Sequence, residues 1–390
     1  MSVPKLRFKE FSDEWCETTL GETTTFKQGI QVDVDKQFSK PFDNSVRFIR
    51  IVDYTQNTKD IRYISKPANA NYVDEHDVVL VRYGATAGFV GHGIKGVIAN
   101  NMFTVTPNSN INKDFLYTIL KQDKIYNKLN SSNGSSAMPA LNFGSVSILK
   151  FSYPSIDEQN KLTNLINLLD KKIELQSKKI EDLKLFKKGL HDKLFNEVTG
   201  NDYLLSDIAV FENGKGHENI INENGKYILI NSKFISTEGN VTKKCSEQLT
   251  PLFKNDITMV MSDLPNGKAL AKCYYIDENN KYSLNQRICK IKVKDDSIIN
   301  SKYLFYLLNR NSYYLRFDDG VNQTNLKKDD ILSLNLVLPS IKEQERDSKT
   351  LTIIDNFIEK ENNKLSKLIL LKKGLMQSMF VWTLNYSSKC

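Results

Sequence analysis

Residues 154–195 have the sequence PSIDEQNKLTNLINLLDKKIELQSKKIEDLKLFKKGLHDKLF, and a closely related stretch returns at 339–380. The matched residues lie 185 positions apart (339 − 154), and both copies share a P-S-I-x-E-Q start and a KKGL-x4-F end. The same offset relates LGETTTFKQG at 20–29 to LSDIAVFENG at 205–214. Repetition on this scale predicts that the whole chain consists of two copies of one structural unit.

Each copy of the repeat carries the signals of a long helix. Ser155 with Glu158, and Ser340 with Glu343, have the S-x-x-E spacing of an N-terminal capping box. Apolar residues then recur at steps of three and four, which is the heptad pattern of a coiled coil. The seam comprises Leu162, Ile166, Leu169, Ile173, Ile180, Leu183, Leu190 and Leu194 in the first copy and Leu351, Ile354, Ile358, Leu365, Leu368, Leu375 and Met379 in the second. Helices with equivalent stripes are predicted to pack on each other.

Both helices contain a glycine at an equivalent place. Gly189 and Gly374 each cost a helix about 1 kcal/mol relative to alanine. Their recurrence indicates either the close approach of another backbone or a helix end near that point. A helix of about 39 residues is roughly 58 Å long at about 1.5 Å per residue, which is a length suited to a spacer.

The rest of the chain predicts two mixed α/β domains. Short β-rich runs separated by Gly, Asn and Pro turns fill the first of these regions and return in the second. Trp15 is a large apolar anchor in a short charged segment, which is therefore expected to pack on the helical region. The predicted boundaries are an N-terminal segment at 1–17, domains at 18–152 and 201–337, and helix repeats at 153–200 and 338–390.

Composition narrows the class of protein. The chain has 390 residues and 40% hydrophobic content, enough for a core in each half. It contains no apolar run of about 18 residues and no signal-peptide pattern at its start, so a cytoplasmic location is expected. Its five cysteines form no C-x-x-C pair, which argues against a zinc site or a disulfide framework. The net charge of +8 suggests a polyanionic partner.

Motifs that carry catalysis are missing from the sequence. GHGIKG at 91–96 matches G-x-G-x-x-G, yet a strand-like segment follows it, so a turn is favoured over a dinucleotide loop. There is no phosphate-binding G-x-x-x-x-G-K-[ST] and no Asn/Asp-Pro-Pro-aromatic tetrapeptide of amino-methyltransferases. None of the four histidines is spaced as a metal pair. No catalytic residue, metal site or bound cofactor is therefore predicted.

What remains is recognition of DNA by polar side chains on β-rich scaffolds. Arg and Lys recognise guanine edges in the major groove, whereas Asn and Gln recognise adenine edges. In the first domain the candidates are Lys27, Gln28, Arg47, Arg50, Arg82, Tyr83, Thr86, Asn100, Asn101, Ser135 and Ser136. In the second they are Lys215, His217, Asn231, Lys233, Ser262, Asn266, Lys268, Asn285, Gln286, Arg287, Asn322 and Gln323. A DNA-contacting role is a hypothesis for each of these residues. The alternative is that the residue is an ordinary solvated or turn-forming one.

This arrangement resembles the specificity subunit of type I restriction-modification systems. The resemblance rests on KLRFKEFSDEWCETTLGE at 5–22, the paired PSIDEQ and PSIKEQ, the heptad helices and the KKGL-x4-F ends. It implies two target recognition domains that each read half of a bipartite DNA site, held apart by two antiparallel helices acting as a ruler. The implied partners are double-stranded DNA, two modification subunits and, in some systems, restriction subunits.

The resemblance also assigns the chemistry to those partners. S-adenosylmethionine, and ATP with Mg²⁺, are expected only in the partner subunits. Docking of modification subunits is predicted at Gly189, Leu190, Gly374 and Leu375. Two alternatives stay open at this point, namely an autonomous DNA methyltransferase or nuclease with an unrecognised site, and a coiled-coil scaffold that binds only protein.

Overall fold

The computed structural model describes residues 3–56, 58–131, 140–265 and 267–381. Its helices are α1 (Leu20–Thr23), α2 (Ile51–Thr55), α3 (Lys113–Leu120), α4 (Asp123–Ser131), α5 (Phe143–Ser147), α6 (Ile156–Asn196), α7 (Leu205–Ile208), α8 (Ser232–Ser236), α9 (Ser301–Leu308), α10 (Ser312–Leu315), α11 (Lys328–Leu332) and α12 (Ile341–Met379), with 3₁₀ turns at Val34–Lys36 and Glu218–Ile220. None of these helices has the length and apolar character needed to cross a bilayer.

Strands of two to six residues make up the sheets. Those of the first half are β1 (Cys16–Thr19), β2 (Thr24–Gln28), β3 (Ser45–Ile49), β4 (Arg62–Ser65), β5 (Tyr72–Val73), β6 (Val79–Val81), β7 (Val90–Gly91), β8 (Gly96–Ile98), β9 (Met102–Pro107) and β10 (Lys150–Tyr153). Those of the second half are β11 (Asn201–Leu204), β12 (Ala209–Asn213), β13 (Tyr227–Ile230), β14 (Lys244–Cys245), β15 (Ile257–Val260), β16 (Ser262–Asp263), β17 (Cys273–Tyr275), β18 (Tyr282–Leu284), β19 (Ile288–Val293), β20 (Thr324–Asn325) and β21 (Asn335–Leu338).

The chain forms two compact units. Unit 1 comprises residues 1–177 and 364–390, and unit 2 comprises 178–363. Each unit therefore contains its own β-rich region, the first part of one long helix and the last part of the other. The predicted fold class, two repeated mixed α/β domains with long coiled-coil helices, is confirmed.

The two units share the topology of a four-stranded antiparallel sheet, and each adds a mixed sheet of four strands in unit 1 and three in unit 2. In unit 1 an antiparallel sheet has the order β2-β9-β6-β7, and a mixed sheet has the order β4-β3-β8-β5 with β3 parallel to β8. In unit 2 the order is β12-β19-β15-β17, beside the mixed sheet β14-β13-β18 with β13 parallel to β18. The ladders β1-β10 and β11-β21 join the beginning and end of each β-rich region. The repeat seen in the sequence is thus a repeat of strand order.

The helix seams follow the predicted heptads. The seam residues of both helices are buried or half-buried, while most of their flanking residues are exposed. In unit 1 Leu162 and Ile166 of α6 share a buried cluster with Met379 of α12, so the start of one helix packs against the end of the other. The same antiparallel pairing occurs in unit 2, where Lys187 of α6 lies 2.5 Å from Asp355 of α12.

Ion pairs between the helices repeat with the chain. In unit 1 the Lys372 Nζ lies 2.5 Å from Asp170 Oδ1, and these residues are the counterparts, at the 185-residue offset, of Lys187 and Asp355. Lys179 adds a pair of 2.8 Å to the buried Glu361 in unit 2. Ion pairs between α6 and α12 therefore occur in both units, and such pairs favour one register of the two helices over others.

A buried glutamine from each P-S-I-x-E-Q motif fastens the β-rich region to its long helix. Gln159 is fully buried, and its Nε2 donates to the backbone oxygens of Asn110 and Pro154, both at 2.8 Å. Its Oε1 accepts from the backbone N–H of Asn112, the N-cap of α3, at 2.8 Å. The side chain thereby joins the proline turn, α6 and the start of α3.

Unit 2 repeats this arrangement bond for bond. The buried Gln344 donates to the backbone oxygens of Ile298 (3.0 Å) and Pro339 (2.9 Å). It accepts from the backbone N–H of Asn300, the N-cap of α9, at 2.9 Å. The repeated glutamine is therefore a structural element of the fold in both units.

The two glutamates predicted to cap the long helices differ. Glu343 accepts hydrogen bonds from the N–H and the hydroxyl of Ser340, and the hydroxyl bond chiefly lowers its pKa, in line with the predicted capping box. Glu158, by contrast, is buried and accepts two hydrogen bonds, of 2.8 and 2.7 Å, from the Arg7 guanidinium. Arg7 belongs to the N-terminal segment, so this ion pair joins that segment to the start of α6.

The same segment contributes an aromatic anchor to unit 1. Trp15 is buried, with its ring 6.2 Å from Phe115 of α3 and 6.5 Å from Phe380 at the end of α12. In unit 2 the counterparts of the last two residues, Tyr303 and Phe195, lie 5.0 Å apart. Aromatic packing between a long helix and a domain helix, α3 in unit 1 and α9 in unit 2, is thus common to both units.

Replacing Gln159 by alanine should lower the free energy of unfolding of unit 1 by about 3 kcal/mol. The reason is that one buried N–H and two buried carbonyls lose their partner, at roughly 1–3 kcal/mol for each unsatisfied group. Gln344→Ala should have the same effect in unit 2. Urea denaturation followed by circular dichroism measures both changes.

The control is Asn167→Ala, which removes an exposed amide from the same helix and should change stability by no more than about 0.5 kcal/mol. Equal stabilities of Gln159→Ala and Asn167→Ala would contradict the role given to the glutamine.

Candidate nucleic-acid interface

Strand order gathers several of the predicted DNA-binding residues at one end of the first sheet. Gln28 ends β2, Arg82 and Tyr83 follow β6, and Asn100 and Asn101 precede β9. Because β9 lies between β2 and β6 and is antiparallel to both, these three points meet at the same end. We call these five residues patch 1.

Hydrogen bonds hold the side chains of patch 1 in place. The Arg82 Nη1 donates to Gln28 Oε1 at 2.9 Å, and Gln28 Nε2 donates to the Asn100 carbonyl at 2.7 Å. The Arg82 guanidinium also lies 4.8 Å from the centre of the Tyr83 ring and donates through Nε to the Leu141 carbonyl at 3.1 Å. The patch therefore contains an arginine, three side-chain amides and an exposed aromatic ring, and hydrogen bonds fix the arginine and the Gln28 amide.

A glycine allows the close backbone approach beneath the patch. A Cβ on Gly29 would lie 2.2 Å from the carbonyl oxygen of Ala99, a contact that real Cβ atoms do not make. Gly214 is in the same position in unit 2, where a Cβ would lie 2.0 Å from the Asn285 carbonyl oxygen. The glycines of KQG and ENG are thus required by the close approach of β2 and β12 to the segment that precedes the neighbouring strand.

Backbone hydrogen bonds identify the equivalent positions of unit 2. In unit 1 the backbone N–H of Gly29 donates to the Met102 carbonyl (3.0 Å), and that of Arg82 donates to the Asn101 carbonyl (2.8 Å). In unit 2 the N–H of Gly214 donates to the Ile288 carbonyl (3.0 Å), and that of Met261 donates to the Arg287 carbonyl (3.0 Å). On this alignment the counterparts of patch 1 are Asn213, Met261, Ser262, Gln286 and Arg287, which we call patch 2.

Patch 2 has the same location and different chemistry. A methionine takes the place of Arg82, and the guanidinium comes instead from Arg287, at the position of Asn101. Arg287 is exposed, forms no ion pair with a described residue and has a φ of +65°, a left-handed conformation that is unusual for a non-glycine residue. The Gln286 side chain contacts Glu218, and Gln323 Nε2 donates to Ser262 Oγ at 2.6 Å.

Other candidates of the first domain make contacts within their own unit. Arg47 and Arg50 both pair with Asp53, whose side chain has no exposed surface. Arg50 also reaches Asp60, and hydrogen bonds from Arg62 and Arg50 lower the Asp60 pKa. Lys27 donates to the carbonyl of Ala70 at 2.8 Å, and Thr86 lies half-buried in the turn after Tyr83. These residues lie outside patch 1.

Candidates of the second domain divide by exposure. His217 is only 1% exposed, with its ring nitrogens 2.7 Å from Ser283 Oγ and from the Lys215 carbonyl, so it lies in the interior. Asn231 caps α8, and Asn322 bonds to Asp319. Lys215, Lys233 and Lys268 are exposed and Asn285 is half-buried. Ser135, Ser136 and Asn266 lie outside the described residues.

The predicted docking residues lie on the long helices. An added Cβ on Gly189 or Gly374 would meet nothing within 4 Å, and both glycines are exposed. Both also lie inside continuous helices, since α6 ends at Asn196 and α12 at Met379. Leu190 and Leu375 are half-buried on the seam. A helix end is therefore not the reason for the glycines.

The model of the type I restriction modification DNA specificity domain matches residues 12–185 and again 200–369. The chain belongs to this family. Specificity subunits are non-catalytic and provide recognition of the DNA sequence, so neither the autonomous enzyme nor the protein-only scaffold is supported. The two matched segments coincide with the two copies of the repeat.

Relatives and solved structures agree with this assignment. This chain is 23% identical to the MjaVIII type I restriction enzyme specificity subunit of Methanocaldococcus jannaschii in an alignment of 335 residues that covers 78% of each chain. Its fold is similar to the S subunit structure from M. genitalium, with a TM-score of 0.65 and 15% identity over 98% of this chain and 100% of that one. The fold is also similar to a chain from a structure on complex assembly and conformational transition of the type I R-M system. The TM-score is 0.56 and the identity is 14%, over 95% of this chain and 98% of that one.

Some residues in or beside the two patches were absent from the sequence-based candidates. Asn213 is the counterpart of Gln28 at the 185-residue offset, so applying that offset residue by residue identifies it. Gln31, whose Oε1 accepts from Asn100 Nδ2 at 3.1 Å, and Glu218, beside Gln286, have no such signal. Their place in the specificity subunit depends on contacts between distant parts of the chain.

Proposed function

We propose that this specificity subunit recognises the two halves of a bipartite, asymmetric DNA site with patch 1 and patch 2. One observation carries the proposal. The two units keep the same strand order and the same backbone hydrogen bonds around the patches, while the side chains at equivalent positions differ. Two copies of one scaffold with different exposed chemistry are what recognition of two different half-sites requires.

The side chains of the patches are of the types that recognise base edges. Gln28 and Asn100 can contact adenine through their amides, and Arg82 can contact guanine through two parallel hydrogen bonds. In unit 2, Gln286 offers an amide at the position of Asn100, and Arg287 offers a guanidinium from the position of Asn101 instead of that of Arg82. The exposed Lys215, Lys233 and Lys268 are suited to phosphate contacts, which add affinity without sequence preference.

Two substitutions should each relax one half-site. Arg82→Lys keeps the charge and loses the planar fork, so discrimination at one base pair of the first half-site should fall by about 1–3 kcal/mol. Arg287→Gly should relax the second half-site by a similar amount, and glycine suits the φ of +65° at that position. Methylation at variant sites, with modification subunits present, can be mapped by sequencing.

The matched control is Asn280→Gly, which places glycine at another exposed left-handed residue, with a φ of +58°, outside patch 2. Both half-sites should keep their specificity in this variant. If Arg82→Lys and Arg287→Gly affected the same half-site, or neither, the assignment of one patch to each half would be wrong.

We further propose that the long helices set the spacing of the half-sites. The recognition domains would be residues 18–152 and 201–337, and the helix repeats would be 153–200 and 338–390. The proposal is supported by two continuous helices of 41 and 39 residues whose polar pairs specify one register. Spacing between half-sites follows the geometry of the protein in other DNA-binding proteins.

Removing one heptad from both 157–195 and 342–380 should shorten the unrecognised spacer and leave both half-sites unchanged. Seven residues account for about 10 Å of helix, which equals roughly three base pairs. Sequencing of methylated sites in a host that carries the variant measures the spacer. Altered half-site sequences with an unchanged spacer would disprove the ruler.

The helices also serve, in our proposal, as docking sites for two modification subunits. These partners would bind S-adenosylmethionine and perform adenine N6 methylation, and restriction subunits would add ATP and Mg²⁺ chemistry. The support is that Gly189 and Gly374 are exposed and leave open space beside a helix, although glycine weakens a helix by about 1 kcal/mol. Close approach of a partner backbone would account for both.

Gly189→Leu combined with Gly374→Leu should therefore weaken assembly with modification subunits, measured by co-purification. A Cβ at either position would meet nothing within 4 Å in the chain itself, so the loss would arise at the partner surface. Gly189→Ala with Gly374→Ala is the control, because it gains the same helix propensity with little bulk. Unchanged assembly of the leucine variant would count against docking at these positions.

A further inference from the structure

Three side chains with metal-binding chemistry meet in unit 1, away from patch 1. His76 lies in the turn between β5 and β6, His92 lies in the GHGIKG turn after β7, and Asp114 is in the first turn of α3. The Asp114 Oδ1 is 3.1 Å from His76 Nδ1 and 3.2 Å from His92 Nε2. All three ligand atoms lie within 4.8 Å of one another.

The surrounding contacts position each of these groups. The His92 ring stacks on Tyr117 of α3, with ring centres 4.3 Å apart. The backbone N–H of His76 donates to Asp74 Oδ1 at 2.8 Å, which holds the turn. Lys113 pairs with Asp77 at 2.6 Å and with Asp74 at 3.3 Å, so this nearby cation is already bound by two other carboxylates. Asp114 is therefore left to the two imidazoles.

We propose that His76, His92 and Asp114 form a binding site for a divalent transition metal ion of the Zn²⁺ or Co²⁺ type. Two imidazoles and a carboxylate are a common donor set for such ions, with water completing the coordination. Ligand distances of about 2.0–2.2 Å place neighbouring ligand atoms of a tetrahedral site roughly 3.3 Å apart. Both distances to Asp114 are close to this value. The exposed His76 ring can rotate to shorten the remaining distance, which separates its nitrogen from that of His92.

The two imidazoles differ in how firmly they are held. The His92 side chain is 21% exposed and stacks on Tyr117, whereas the His76 side chain is 68% exposed. An incoming ion would therefore meet one fixed imidazole and one that is free to adjust.

Unit 2 provides an internal comparison, because the duplication places other residues at these three positions. When the strand pairs β6-β7 and β15-β17 and the N-caps of α3 and α9 are aligned, Asn255, Tyr275 and Lys302 are the counterparts of His76, His92 and Asp114. The Tyr275 hydroxyl donates to Asn255 Oδ1 at 2.9 Å, and the Lys302 Nζ lies 4.0 Å from the centre of the Tyr275 ring. Unit 2 thus has an ammonium where unit 1 has a carboxylate, so these three positions of unit 2 lack the donor set for a cation.

The test is titration of the untagged full-length chain with Co²⁺, followed by its visible absorption and by calorimetry. We expect about one equivalent to bind. His76→Ala should weaken binding at least about tenfold, since even second-shell substitutions in metal sites cost 10- to 100-fold. The control is His191→Ala, which removes a histidine of α6 paired with a single carboxylate and should bind Co²⁺ as the unaltered chain does.

A second measurement separates metal binding from folding. In the absence of metal, His76→Ala and the unaltered chain should have the same melting temperature, because His76 is exposed. Zn²⁺ should raise the melting temperature of the unaltered chain and leave that of His76→Ala unchanged, and His92→Gln should behave like His76→Ala. Absence of Co²⁺ binding by the unaltered chain, or equal binding by His76→Ala, would overturn the proposal and leave a hydrogen-bonded His-Asp-His bridge.

Discussion

The buried side-chain amide of Gln159, with its counterpart Gln344, is the interaction on which each unit depends. A glutamine amide offers a carbonyl and two N–H groups, and all are directed at backbone groups that no helix or sheet satisfies. Each amide joins a proline turn, a long helix and the N-cap of a domain helix. The position of the β-rich region on the helix pair follows from these three bonds, and so does the position of both patches.

The two copies share that framework and differ in the side chains at its surface. Backbone hydrogen bonds, strand order, the two glycines beneath the patches and the ion pairs between the helices recur in both units. Side chains at the patch positions have changed chemistry, as when Met261 stands in place of Arg82. An exposed side chain can change at little cost in stability, whereas a buried amide leaves unsatisfied groups behind when it is replaced. Recognition can therefore diverge on a constant scaffold.

Asp114 and Lys302 show the same divergence. Unit 1 has a carboxylate between two imidazoles at this position, and unit 2 has an ammonium over an aromatic ring. Burial lowers the pKa of Lys302, and the ring face partly compensates for the water that the ammonium loses. Opposite charges at equivalent positions give the two units different chemistry in this region, although the backbone around it is shared.

The sequence by itself determined the duplication, the seams of both helices, the mixed α/β class and most members of the two patches, because a repeat offset and a heptad period are properties of local order along the chain. Only the tertiary structure decided which side chains meet. Gln28 and Arg82 are 54 residues apart, and Arg7 reaches Glu158 across 151 residues, which turned a predicted cap into a buried ion pair. His76, His92 and Asp114 belong to three different elements. Such contacts depend on strand pairing between distant segments, and neither the period nor the repeat encodes them locally.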